Sequence, residues 1–222
     1  MRVITGPSVA ALLVAGVTFI TGPAHAAAAG TVSLGDDGLT FTAGANVANR
    51  LTITRVGDQI RFVDIAAPVT ENADLCTTFN NNAGTGVLCD VAVASRVNVY
   101  LRDEADLLTA LSTVPYHVEG GAGDDEISTG DGTDTVRGGI GDDTIEDVGD
   151  GNDVVYGEAG QDEINIDDGL GRDTAYGGLN ADTINADDGL RDIIRCGDGV
   201  FDRGDKADID ANDSALDCDS VF

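Results

Sequence analysis

Gly120-Gly121-Ala122-Gly123-Asp124-Asp125-Glu126-Ile127-Ser128 is followed at once by Thr129-Gly130-Asp131-Gly132-Thr133-Asp134-Thr135-Val136-Arg137. Gly138-Gly139-Ile140-Gly141-Asp142-Asp143-Thr144-Ile145-Glu146 comes third. In each nonapeptide an aspartate stands at the sixth place and an aliphatic residue at the eighth. After Asp147 the pattern resumes with Gly149, Gly151, Asp153 and Val155, and continues through Gly160, Asp162 and Ile164. After Ile166-Asp167 it returns with Gly169, Gly171, Asp173 and Ala175. Asp182 with Ile184 and Asp192 with Ile194 close the series, Asn180 standing where the third glycine of its unit belongs. A fixed period of this kind indicates stacked structural repeats, each too small to bury its apolar residue alone.

The residue types explain what one unit does. Glycines at the second and fourth places admit φ > 0, so six residues can turn sharply with carbonyls facing inward. The aspartate adds a carboxylate, which makes an all-oxygen cage suited to a hard cation such as Ca²⁺. At the eighth place stand Ile127, Val136, Ile145, Val155, Ile164, Ala175, Ile184 and Ile194. Seven of the eight are β-branched, as an inward strand position favours. One unit thus gives a turn and a short strand, and two units complete a coil.

This stretch resembles the RTX, or hemolysin-type calcium-binding, repeat, whose signature is G-G-x-G-x-D-x-U-x. The resemblance spans roughly residues 120–195. It implies an all-β fold: a parallel β-roll (β-solenoid) of calcium-binding nonapeptides, preceded here by a β-rich N-terminal region. The expected calcium ligands come from the turns: Gly121, Gly123 and Asp125; Gly130, Gly132 and Asp134; Gly139, Gly141 and Asp143; Gly149, Gly151 and Asp153; Gly160 and Asp162; Gly169, Gly171 and Asp173; Asp182; and Asp192. Turns of one side recur about every 18 residues, so Asp125, Asp143, Asp162 and Asp182 fall on a first side and Asp134, Asp153, Asp173 and Asp192 on a second. Ions shared between successive turns number at most about six. The insertions at 147, 166–167 and 186 precede second-side turns and are expected to widen them, which favours the first side.

Charge supports cations as partners. The chain has 222 residues and a formal net charge of −28, and residues 120–222 hold 29 of its 40 acidic residues against six of its 12 basic ones. Nucleic acid and anionic membranes would be repelled. Closely stacked carboxylates repel one another too, so folding is expected to be linked to calcium binding.

Outside the repeats, four divisions are expected: 1–26, 27–119, 120–195 and 196–222. Arg2, the apolar run Val9 to Ile20 and Ala24-His25-Ala26 read as a cleavable signal peptide, so the protein is expected to be secreted and extracellular. Residues 27–119 alternate in period two at Leu39-Thr40-Phe41-Thr42, Leu51-Thr52-Ile53-Thr54, Ile60-Arg61-Phe62-Val63 and Val97 to Leu101, which predicts strands. Thr70 to Asp90 reads as a polar loop, and Glu104 to Leu111 as one or two turns of helix. Four cysteines allow three pairings. The local one, Cys76–Cys89 and Cys196–Cys218, closes the shortest loops and is preferred. Residues 196–222 read as a disulfide-closed cap.

No HExxH, GxSxG or GxxxxGK occurs, and beyond the signal region the only histidine is His117. A non-enzymatic protein is expected, with a structural or adhesive role at the cell exterior and cell-surface or matrix polymers as candidate partners; membrane insertion is not expected. Two alternatives are a solenoid face that binds ice or another ligand, and a non-catalytic accessory domain of a secreted hydrolase. The seventh place, which points outward, holds Glu126, Thr135, Thr144, Val154, Glu163, Thr174, Thr183 and Ile193, an interrupted threonine pattern.

Overall fold

The computed structural model describes residues 30–72, 74, 76–81, 84–90, 95–146, 149–167, 169–197 and 204–222. The signal peptide expected at 1–26 lies outside these. The described residues form 21 strands and no helix. The roll begins at β8 (Val97–Asp103), β9 (Leu107–Leu111), β10 (Tyr116–Ala122) and β11 (Glu126–Ser128). It continues through β12 (Thr135–Ile140), β13 (Thr144–Glu146), β14 (Val154–Ala159), β15 (Glu163–Asn165), β16 (Thr174–Leu179), β17 (Thr183–Ala186) and β18 (Ile193–Gly197). Strands alternate between two sheets, the even-numbered in one and the odd-numbered in the other, all parallel.

The register keeps the aliphatic places in file. Ile127 pairs with Ile145, Ile145 with Ile164 and Ile164 with Ile184 in one sheet, and Val118, Val136, Val155, Ala175 and Ile194 align in the other. All are at most 1% exposed. Because side chains alternate between faces, a slip of one residue would put this file into water, so the insertions must be absorbed without changing register. Coils accordingly lengthen, and the inserted Ile166 and Ala186 themselves turn inward, 2% and 0% exposed.

The same sheets run on at both ends. Before the roll lie β1 (Gly30–Gly35), β2 (Gly38–Ala43), β3 (Arg50–Val56), β4 (Gln59–Asp64), β5 (Val69–Asn72), β6 (Cys76–Asn81) and β7 (Gly84–Asp90). β2 pairs in parallel with β8 and β3 with β9, while β1–β2, β3–β4, β4–β7 and β6–β7 are antiparallel. The largest buried side chains outside the repeats, among them Phe41, Phe62, Leu39, Leu51, Ile53 and Ile60, fill this hairpin block. After the roll, β19 (Lys206–Ile209), β20 (Ser214–Leu216) and β21 (Ser220–Val221) add further parallel coils.

Two expectations are corrected. Thr70 to Asp90 is not a loop: most of it is strand, with Cys76 directly opposite Cys89 in the β6–β7 ladder. Its polar composition reflects a hairpin at the sheet edge, where β6 meets water. Glu104 to Leu111 is not helical but a tight turn followed by β9. Both disulfides form as the local pairing, Cys76–Cys89 and Cys196–Cys218.

Candidate metal centre

On the first side the amide of each aspartate donates to a carboxylate oxygen of the aspartate one coil further on. Asp125 N–H reaches Asp143 Oδ1 at 2.9 Å, Asp143 reaches Asp162 at 2.9 Å and Asp162 reaches Asp182 at 2.9 Å. On the second side Asp134 reaches Asp153 at 2.7 Å, Asp153 reaches Asp173 at 2.8 Å and Asp173 reaches Asp192 at 2.7 Å. The aspartate carbonyl closes the stitch at the strand start, as Asp125 O does for Thr144 N–H. Both ladders therefore persist through the insertions, and the second side is no looser than the first in this respect.

These aspartates are at most 3% exposed. One oxygen of each is held by an amide, while Oδ2 of Asp125, Asp143, Asp162, Asp153 and Asp192 is buried with no hydrogen-bond partner. The side-chain ion contacts His117–Glu119 and Arg137–Glu158 lie outside the ladders. Burial therefore dominates the acidity of the carboxyls. It lifts Asp125, Asp134 and Asp143 to about 7 and Asp153 to about 8, with amide hydrogen bonds opposing and neighbouring aspartates reinforcing the shift. Asp162 and Asp192 rise to about 6 for the same leading reason, and Asp173 rises as well. A buried anionic oxygen without a partner is costly; a cation beside it removes that cost.

The predicted glycines bring the remaining oxygens close. Gly121, at φ 117°, stands so near the Arg102 carbonyl that a side chain there would collide with it; Gly139, at φ 125°, stands likewise against the Gly121 carbonyl. Gly123, Gly141, Gly151, Gly160, Gly169 and Gly171 press in the same way on a carbonyl of the coil before, and Gly130, Gly132 and Gly149 also pack on backbone of the preceding coil. Among the described residues no three His, Cys, Asp or Glu side chains converge on one point. An ion in these turns would therefore rely on carbonyls together with one or two carboxylates, a donor set that fits Ca²⁺.

Three features were not read from the sequence. The first-place glycines of the first side touch the carboxylates: a Cβ on Gly120 would lie 2.5 Å from both Asp125 Oδ2 and the Gly138 carbonyl, and Gly138, Gly157 and Gly177 abut Asp143, Asp162 and Asp182. The first unit of the second side has Thr129 in that place, and its side chain opposes the rise of Asp134. Both ladders also extend beyond the nonapeptides, Asp106 donating to Asp125, Asp182 to Asp205, and Asp192 to Asp213. The signal was an aspartate two places before an inward residue, in Asp106-Leu107-Leu108, Asp205-Lys206-Ala207 and Asp213-Ser214-Ala215.

The family model of the RTX calcium-binding nonapeptide repeat, in four copies, matches residues 117–145, 147–169 and 165–190. The chain carries RTX-type repeats. Its repeats are of the calcium-binding kind, which makes Ca²⁺ the ion. No curated protein and no solved structure matches the chain. RTX repeats are generally non-catalytic. No helix of the described residues is long and apolar enough to cross a membrane.

Proposed function

We propose that this RTX protein is an exported structural or adhesive module whose roll takes its shape on meeting calcium outside the cell. The observation that carries this reading is the file of buried carboxylate oxygens without a partner. Such a file is tolerable when cations sit between the turns, and self-repelling when they do not. Asp125, Asp143, Asp162 and Asp182 are the proposed first-side ligands, joined by turn carbonyls at Gly121, Gly123, Gly139 and Gly141. Asp134, Asp153, Asp173 and Asp192 with their turn glycines serve the second side. Extracellular calcium modules bind at about 10⁻⁴–10⁻³ M, so a chain of this kind stays loose in the cytosol and folds after export. Two disulfides support an oxidising destination.

For the adhesive part, the outward face of the ten-stranded sheet is the surface to consider. There Tyr100, Glu119, Arg137, Tyr156, Tyr176 and Arg195 fall in one row. Tyr156 and Tyr176 stack at 4.8 Å and Arg137 lies over Tyr156 at 4.3 Å. A polar polymer of the cell surface would meet phenol and guanidinium edges along this row. The ice-binding alternative draws less support, because the outward row Thr135–Val154–Thr174–Ile193 is not a uniform threonine file. Circular dichroism of the disulfide-intact chain in chelator and then in millimolar Ca²⁺ tests the central reading. A gain of β-structure on adding calcium is expected; an unchanged spectrum would overturn it.

A further inference from the structure

The first-side ladder does not stop at the repeats. Asp106 N–H donates to Asp125, and Asn49 N–H and Nδ2 both donate to Asp106 Oδ1, so Asn49 occupies the aspartate's place one coil earlier. The intervening turn keeps the left-handed backbone of the repeat turns without its glycines, Arg102 lying at φ 83° and Glu104 at φ 73°. Beyond Asn49 comes a carboxylate the repeats do not have. Asp64 ends β4, the antiparallel neighbour of β3, and its Oδ1 accepts the amides of Arg50 at 3.1 Å and Ala66 at 2.7 Å. Consecutive amides, those of Asn49 and Arg50, thus pin one oxygen of Asp106 and one of Asp64.

The other oxygens are left over. Asp64 Oδ2, Asp106 Oδ2 and Asn49 Oδ1 are buried without a hydrogen-bond partner, in residues 1%, 3% and 1% exposed. They come from three adjacent strand ends, in the order β9, β3, β4, with Leu51 opposite both Asp64 and Leu108. Asp64 is close enough for its charge to be felt at Asp106, and neither forms an ion pair among the described residues. Each of these residues thus keeps one oxygen out of water with no donor to meet it, a cost that a hard cation set between the three oxygens would remove.

We propose that Asn49, Asp64 and Asp106 hold a divalent cation, calcium as in the roll, at the junction where the hairpin block meets the first coil. This site lies outside the matched nonapeptides and is built from side-chain oxygens of non-repeat strands. It rests on the reading of the roll as a calcium binder, and it would fix the N-terminal block to the coils by the same ion that orders them.

Calorimetric titration of Ca²⁺ into the disulfide-intact full chain tests this, comparing wild type with D64N, D106N and the double variant. Asparagine preserves the Oδ1 acceptor in each case and removes one charge. Each single variant is expected to bind one ion fewer per chain than wild type, and the double variant also one fewer, since both residues serve a single ion. Wild-type stoichiometry and affinities in D64N, or a loss of two ions in the double variant, would overturn the inference. Asp64 stands outside the ladder, so D64N decides the matter even if D106N fails to gain β-structure with calcium. A wild-type chain that takes up no calcium would sink the reading of the roll itself, an outcome distinct from a roll that loads fully in every variant.

Discussion

Asp143 shows how one side chain answers to two conditions with opposite sign. Its Oδ1 holds the amide of Asp125 and its own amide holds Asp162, so it is stitched on both sides. Asp143→Asn retains the acceptor and loses the charge. With calcium present, one carboxylate fewer is expected to weaken the adjoining ions on the order of tenfold, about 1.4 kcal/mol. In chelator the same change removes a buried, repelled charge, and the residual structure is expected to be more stable than wild type. Thermal unfolding under both conditions checks the pair of signs. Acidity follows the same logic. Asp125, Asp134 and Asp143 titrate near 7 and Asp153 near 8 when folded without metal, chiefly through burial. A folded value raised above the unfolded one (about 3.9 for aspartate) contributes stability that is fully present below about pH 4 and is lost as pH rises through 6 to 8. The metal-free roll is therefore expected to be firmer at pH 5 than at pH 8. Calcium needs the ionised carboxylates, so its affinity should fall as pH drops through that same window. Spectra in chelator, and calcium titrations at pH 5.5 and 8, read the two trends.

A turn in this fold is defined by backbone conformation before composition. Arg102 and Glu158 occupy the second place of first-side turns at φ 83° and 78°, where Gly121, Gly139 and Gly178 sit in the other coils. Residues with a Cβ hold such angles at a cost of about 1–2 kcal/mol. Arg102→Gly, at an exposed position, is expected to raise the melting temperature of the calcium-loaded protein by a few degrees, for a gain of about 1 kcal/mol. A fall would mean that the arginine side chain matters more than the angle. This also explains what could be read in advance. Where glycines mark the turn, as in Gly120-Gly121-Ala122-Gly123, the sequence carries the coil, its inward residue and its partner 18 residues on. Where Arg102 and Glu104 bear the same backbone, nothing in their chemistry announces a left-handed turn, and Glu104 to Leu111 looked like a helical segment. Asp106, Asp205 and Asp213 escaped for a related reason. An isolated aspartate two places before an apolar residue is common, and only the parallel register gives it meaning. The edge hairpin at Cys76–Cys89 is hard to read because a strand such as Thr77-Thr78-Phe79 leaves both threonines exposed and brings few aliphatic residues to mark it.

Across the molecule, stability is unevenly sourced. The hairpin block contains Leu39, Phe41, Leu51, Ile53, Ile60 and Phe62, and residues 27–119 have far fewer acids than the roll. The roll offers one aliphatic residue per nonapeptide to its core and, on the proposed reading, depends on ions for the rest. Limited proteolysis in chelator is expected to spare a fragment containing the hairpin block and to digest the chain beyond about Gly120; in calcium the whole should resist. Uniform digestion in chelator would show that the block has no stability of its own. The ladders have a further consequence. Because every coil presents an amide forward to the next aspartate and a carboxylate back to the previous one, the seam between any two coils has the same chemistry. Duplicating or deleting a stretch of 18 to 20 residues in the gene would leave a seam that still closes. The length of such a protein is then a heritable variable that can drift by whole coils, with each added coil bringing its own appetite for calcium.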